Sequence, residues 1–442
     1  MWCFSLRSGL RTGELHLRGL FYDVATAQVL QVITAVVSHL DPVPRTIDNI
    51  DTLITLWRPL ARAQVTARPD TTICKDGTMS AHYDVVIVGG GIAGLSLASA
   101  LAGKCSVALV EAEQTLAYHT SARSARQLIP SYGPPVVQEL TVRTLELIAG
   151  QDAGRPEPVL SPRSFLLIGD EATVRAQASG HMRRITHAEA LDLCPALVPD
   201  SFAAAGLDTG SFACNAPVLL EDHRRRAEAG GVDIITGARV HSAQRLGSGW
   251  ELGAGQEGFQ AAVVVNAAGA WADELAVLSG VEKVQLQPYR RTAAIVDVEH
   301  PLPEICPMVA AADDSFYFRR DGEQVLISPS EHEPSGPEDA QPHPGDIERL
   351  VARLNTLTTL GIRGVRTSWT GLRTEAADGV PVVGFDAEAP GFFWLAGQGG
   401  YGFQTSSGIA ELAAGLILAG QEPGPASRTA EALAATRWSI RR

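Results

Sequence analysis

The feature that most constrains this chain is a glycine triplet between an apolar run and an Ala/Leu-rich segment. Gly89-x-Gly91-x-x-Gly94 follows Tyr83–Val88, which reads as a buried strand, and opens a helix over Ala93–Ala102. Gly89 permits a tight turn, Gly91 lets a pyrophosphate approach the backbone, and Gly94 lets helix and strand pack closely. The helix N-terminus then presents unpaired N–H groups to an anion. Ser106–Glu111 reads as a second strand, and Glu111 ends it 22 positions after Gly89. An acid there accepts hydrogen bonds from a free ribose 2′-hydroxyl, which suits FAD or NAD rather than NADP. Ile92, Ala93 and Ala112, beside these positions, complete the first set of candidate cofactor contacts.

The same glycines decide against a membrane span. Residues 85–103 carry no charge, but Gly89, Gly90 and Gly91 are consecutive and break a helix. No integral membrane span is therefore expected. Arginine and lysine total 36 against 49 acids, a net charge of −13, which argues against nucleic acid as a partner. The six cysteines form no CxxC pair, and no histidine or cysteine grouping has metal-ligand spacing. No metal is expected, and the cysteine usage reads as a reduced, cytoplasmic setting.

Along the chain, helices are expected over Val136–Ala149, Glu221–Ala229, Ile347–Leu357 and Ser406–Leu418. Strands are expected at Leu166–Asp170, Gly249–Leu252, Ala261–Asn266, Ala293–Val298, Phe316–Arg319, Val325–Ser328, Pro381–Gly384 and Gly391–Leu395. The mixture implies a mixed α/β (α+β) chain, a parallel nucleotide domain interrupted by an antiparallel sheet. The expected division assigns 79–130, 195–275 and 365–442 to the cofactor domain and 131–194 and 276–364 to the substrate domain. Residues 1–78 read as an N-terminal extension, with Met79 close to the functional start.

Two further clusters favour FAD over a nicotinamide. VVVNAAGAW (263–271) is a strand ending in small residues, and a second glycine cluster, Gly397-Gln398-Gly399-Gly400-Tyr401-Gly402, leads into the last long helix. Together with VVIVGGGIAGLS, the HTSARSA loop, GLRTEAADGVPVVG and GQGGYGFQTS, these segments resemble the D-amino-acid oxidase/glycine oxidase superfamily of FAD enzymes. QPYRRTA (287–293), DDSFYF (313–318) and SWTGLR (368–373) are similar to the bacterial D-arginine dehydrogenase branch.

The resemblance implies a Rossmann-type FAD-binding domain with an interrupting antiparallel-sheet substrate domain. It implies oxidation of a D-amino acid, with hydride passing from Cα to flavin N5 and the imine hydrolysing to a 2-oxo acid and ammonia. Arg291 and Arg373 correspond to the pair that clamps the substrate carboxylate, a role suited to the bidentate guanidinium. Tyr132 and Tyr317 correspond to tyrosines lining the site, and Gln404 and Gly400 to residues beside flavin and substrate. Further cofactor contacts implied are Arg123, Ser124, Ala125, Val240, Ala268, Gly269, Gly371, Gly399, Tyr401 and Gly402. Where some members attach FAD through cysteine, this chain reads Thr374-Glu375-Ala376, so the FAD is expected to be non-covalent.

Two positions depart from the branch. Gln127 stands where it has a histidine, and Phe165 where it has an acid that recognises a guanidinium. A benzyl ring cannot pair a buried cation. The expected substrate is therefore an apolar, aromatic or acidic D-amino acid rather than D-arginine. Oxidation of a 2-hydroxy acid, glycine or an N-methyl amino acid stays open, as does a catalytically weak flavin-binding assembly protein. The sequence leaves the electron acceptor open among O2, a quinone and a carrier.

Overall fold

In the computed structural model, which describes residues 71–73, 79–152, 155–178, 180–420 and 428–437, two nine-stranded sheets organise the chain. The expectation of an extension over 1–78 falls outside the described residues, save for Thr71–Ile73, which pairs antiparallel with Met79–Ala81.

The first sheet is built around Met79–Val88. Val107–Val110 pairs with it in parallel on one side and Glu257–Asn266 on the other. Asp233–Ile235 and Phe392–Ala396 extend the parallel core outward. The central strands are buried on both faces, which is why VVIV, VALV and VVVN read as unbroken apolar runs rather than alternating ones. Helix Ile92–Leu101 covers one face, burying Leu95, Leu97 and Leu101 against Val85, Ile87 and Leu109. Each such leucine contributes about 2 kcal/mol of burial. In register, Asn266 lies opposite Val88, so both strands end at one edge of the sheet. A crevice at the carboxyl ends of parallel strands is the usual ligand position of open α/β sheets.

The second sheet runs Glu333–Pro334, Gln287–Val298, Gln324–Ser328, Tyr317–Asp321, Met308–Ala311, Phe165–Gly169, Ala204–Asp208 and Arg183–Ile185. Ile362–Glu375 pairs along Gln287–Val298. It is antiparallel except where Met308–Ala311 meets Phe165–Gly169. Alternation divides its faces. Leu166 and Ile168 join a core under helices His187–Leu193 and Asp346–Leu357, whereas Phe165 and Leu167 join Ile129, Met308 and Tyr317 on the opposite side.

Several boundaries move from the expected ones for local reasons. The strand expected at 166–170 is Phe165–Gly169, because Asp170 instead caps helix Glu171–Gln177, accepting from the N–H groups of Ala172 and Thr173. The helix expected from Ser406 begins at Gly402, and the one expected from Glu221 begins at Ala216 under an Asn215 cap. The loop 112–135 holds a short 3-10 turn, Thr120–Arg123, and a strand, Gln127–Leu128, in a third sheet with Phe212–Cys214. Among the described residues, no helix is long and apolar enough to cross a membrane.

Candidate active site

At the carboxyl edge of the first sheet lies a cavity of about 340 Å3. Among the cofactor candidates, Gly89, Gly91, Glu111, Ala112, Val240, Ala268 and Gly269 line it. Gly89 has φ +113°, and a side chain there would strike the Ala267 carbonyl oxygen at 2.4 Å. Gly94 does not line it; a Cβ on Gly94 would lie 1.9 Å from the Gly89 carbonyl oxygen, so this glycine sets the approach of helix to loop. The Glu111 carboxylate accepts from the N–H groups of Gly90 at 2.6 Å and Glu113 at 2.8 Å. Those two bonds fix its orientation at the cavity wall. The residues fit a dinucleotide: backbone without side chains where phosphates would lie, and an oriented acid where a ribose would lie.

Helix Ile92–Leu101 has no side-chain cap from its own N-terminal residue. Ser121 supplies one from the 3-10 turn, accepting from the Ile92 N–H at 3.0 Å. His119 and Trp271 pack ring to ring at 4.6 Å in the cavity wall. His119 is thus part of this wall. Sequence reading missed Ser121, which stood inside the HTSARSA segment.

A second cavity, about 140 Å3, adjoins the first, and Thr120 and Ser121 line both. Its wall brings together Ile92, Arg123, Ser124, Ala125, Gln127, Tyr132, Phe165, Arg291, Tyr317, Gly371, Arg373, Gly399, Gly400, Gly402 and Gln404, residues drawn from across the sequence-based candidates. Of the candidates, Ala93, Gly94 and Tyr401 line neither cavity. Tyr401 packs behind the wall, its ring 5.2 Å from that of Tyr132.

The two arginines come from the long strand pair of the second sheet. Arg291 lies opposite Gly371, and Tyr289 opposite Arg373. Side chains two residues apart share a face, so Arg291 and Arg373 are diagonal neighbours. The neighbouring Arg290 points the other way, binding Glu338 at 3.0 Å and the Gln341 carbonyl. Strand alternation therefore selects Arg291 from the Arg290–Arg291 doublet. Arg291 donates from Nε to the Glu331 carbonyl at 2.9 Å, and a terminal nitrogen lies 3.7 Å from Asp314 Oδ2. Burial, and then the charge of Arg373, pull its pKa below the ordinary range for arginine. For Arg373, burial opposes the charge, but Tyr132, Tyr317 and Asp314 outweigh it and raise the pKa. The Tyr132 hydroxyl lies 3.5 Å from an Arg373 terminal nitrogen. Two cations in one small chamber make an anion-binding site.

Other candidates brace the chamber. Gln404 lines it, yet its amide is committed: Nε2 donates to Thr141 Oγ1 at 3.0 Å and the Tyr132 carbonyl at 3.2 Å, and Oε1 faces the Ile129 N–H at 3.4 Å. Gln127 donates from Nε2 to Ser211 Oγ and the Arg163 carbonyl, while its Oε1 is buried without a partner. Phe165, Met308, Ala310 and Ile129 form the apolar side. Arg123 fastens the turn with its guanidinium, which binds the carbonyls of Thr370 and Ala340 and the Asp339 carboxylate. Arg319, not singled out from sequence, is 3% exposed and holds the Ala125 carbonyl at 2.8 Å. Burial and the nearby Arg163 and Arg126 charges push its pKa down to about 10. Its signal was its place two residues after Tyr317 on one strand. Among the described residues, no group of acids, histidines and cysteines is placed to hold a metal ion.

A glycine oxidase of Geobacillus kaustophilus is 26% identical over 372 residues, covering 77% of this chain and 94% of that protein. The crystal structure of glycine oxidase from that organism superimposes with a TM-score of 0.70 at 23% identity, covering 80% and 99% of the two chains. The crystal structure of L-proline dehydrogenase from P. horikoshii gives a TM-score of 0.71 at 18% identity, covering 82% and 99%. The model for FAD dependent oxidoreductases matches residues 84–416. With the glycine cradle, the oriented Glu111 and a family match over most of its length, the chain belongs to the FAD dependent oxidoreductase family, and its cofactor is FAD.

Proposed function

We propose that this protein oxidises the Cα–N bond of a small D-amino acid with an uncharged side chain, giving an imine that hydrolyses to a 2-oxo acid and ammonia. The observation that carries this reading is the convergence of Arg291 and Arg373 on one 140 Å3 chamber beside the cofactor cavity. The bound flavin supplies the hydride acceptor. The protein's part is to bind, orient and dry the substrate.

In this reading the two guanidinium groups take the substrate carboxylate through paired N–H donors. That contact fixes Cα and its hydrogen, converting an encounter into an oriented complex. Tyr132 stiffens the grip from its hydroxyl, beside Arg373. Phe165, Met308 and Ile129 exclude water around the side chain and offer no partner for a guanidinium or ammonium tail. Among the described residues, no histidine lines this chamber. The ammonium proton is lost to solvent before oxidation, and the Tyr132 or Tyr317 hydroxyl can relay it only by passing its own proton on to water. Among the described residues, no cysteine lines either cavity.

A second reading, glycine or an N-methylated glycine as substrate, is favoured by the small volume of the chamber. One experiment decides. The FAD-loaded protein is mixed anaerobically with a panel of D- and L-amino acids, glycine, sarcosine and 2-hydroxy acids while the flavin absorbance is followed. Bleaching by small apolar D-amino acids supports the first reading, and bleaching by glycine or sarcosine alone the second. Bleaching only by hydroxy acids, or by nothing, removes both.

A further inference from the structure

One carboxylate stands inside the two-arginine chamber. Asp314 lines the cavity, and its Oδ2 lies 3.7 Å from Arg291. It sits at the tip of the turn joining Met308–Ala311 to Tyr317–Asp321, with φ +55°. That conformation is uncommon for a residue with a side chain, although aspartate tolerates it better than most. The residues on either side are tied elsewhere. Arg353 donates to Ser315 Oγ at 2.8 Å, and Asp313 accepts from the Ser315 N–H at 3.2 Å. The Asp314 side chain is 67% exposed, whereas that of Arg291 is 7% exposed. An exposed carboxylate thus meets a buried guanidinium at the chamber mouth, held by a single long contact.

We infer that Asp314 is a built-in competitor for the substrate carboxylate, occupying Arg291 until an incoming carboxylate displaces it. The inference rests on the carboxylate-clamp reading above. Arg291 has one side-chain donor committed to the Glu331 carbonyl, so its terminal nitrogens are what both carboxylates contend for. The carboxylate, 67% exposed, swings away at little cost, because water rehydrates it as the 3.7 Å contact opens. The residue then sets a threshold: a ligand must out-compete an internal anion, which weakens binding of stray monocarboxylates and releases the 2-oxo acid product.

The test uses FAD-loaded protein titrated with propionate, which has a carboxylate and no amine, and with propionamide as the uncharged control. Binding is read from the flavin absorbance. Asparagine and glycine both accept positive φ, so Asp314→Asn and Asp314→Gly keep the turn. Both variants are expected to bind propionate about two- to fivefold more tightly, the range an exposed ion pair spans. KM for the best substrate should fall and propionamide should have no effect. Asp313→Asn, the same change of charge one residue away, leaves propionate affinity unaltered. Unchanged or weakened propionate binding in both Asp314 variants, with wild-type binding intact, overturns the competitor role alone. Loss of any propionate response in wild type as well overturns the clamp on which it rests.

Discussion

Arg291 and Arg373 are diagonal neighbours on one face of an antiparallel strand pair, with Gly371 opposite the first and Tyr289 opposite the second. A Cβ on that glycine would meet the Arg123 and Thr120 side chains at 3.5 Å. Replacing either arginine with lysine keeps the charge but loses the fork. Arg291→Lys and Arg373→Lys should each lower kcat/KM by roughly 10- to 150-fold, as expected for losing a charge-assisted hydrogen bond. Arg290→Lys, on the opposite face, should leave KM within about twofold of wild type, since strand alternation turns it away from the chamber. Steady-state kinetics on the three variants checks this.

Gly94→Ala tests the close approach of helix to loop. The added methyl would lie 1.9 Å from a backbone oxygen, which no rotamer change relieves. A loss of about 3 kcal/mol or more is expected, with poor retention of FAD. Denaturant melts and the ratio of flavin to protein absorbance after purification report both.

Phe165→Ala tests the apolar wall. Phe165 is 6% exposed, so truncation should destabilise the protein by about 3 kcal/mol. The enlarged chamber should shift kcat/KM towards bulkier side chains relative to the smallest ones. A panel of D-amino acids of increasing size measures the shift.

His223 gives a pH dependence unrelated to the site. It is 4% exposed, and neither ring nitrogen has a hydrogen-bond partner. Burial, helped by Arg226 and opposed by Asp222, lowers its pKa from 6.5 to about 4. The unfolded chain therefore takes up a proton below about pH 6.5 that the folded chain refuses until about pH 4. Stability contributed by the neutral ring is complete above that window and is lost as pH falls through it, by at most about 3 kcal/mol. His223→Leu should show a shallower fall in Tm between pH 7 and pH 4 than wild type.

The local signals carried the nucleotide half of the fold well. The strand, three glycines, helix and acid are contiguous, and each is demanded by one short-range contact. The arginine pair was legible only through resemblance, because the register that sets Arg291 beside Arg373 joins strands far apart in the chain. Asp314 stands in the DDSFYF run and Arg319 two residues after Tyr317, yet an aspartate in a turn and an arginine in a strand are ordinary until the turn and strand are placed against the chamber. The bonds of the Gln404 amide to Thr141, Tyr132 and Ile129 exist only once two helices and a loop have packed.

The turn Thr120–Arg123 joins two distant parts of the polypeptide. Ser121 completes the glycine helix, while Thr120 exchanges hydrogen bonds with the backbone of Leu372, 252 positions later. The cradle is therefore finished only when the strand carrying Leu372 has been synthesised and docked. Flavin uptake should come late in biogenesis, and a nascent chain released before that strand emerges should remain colourless.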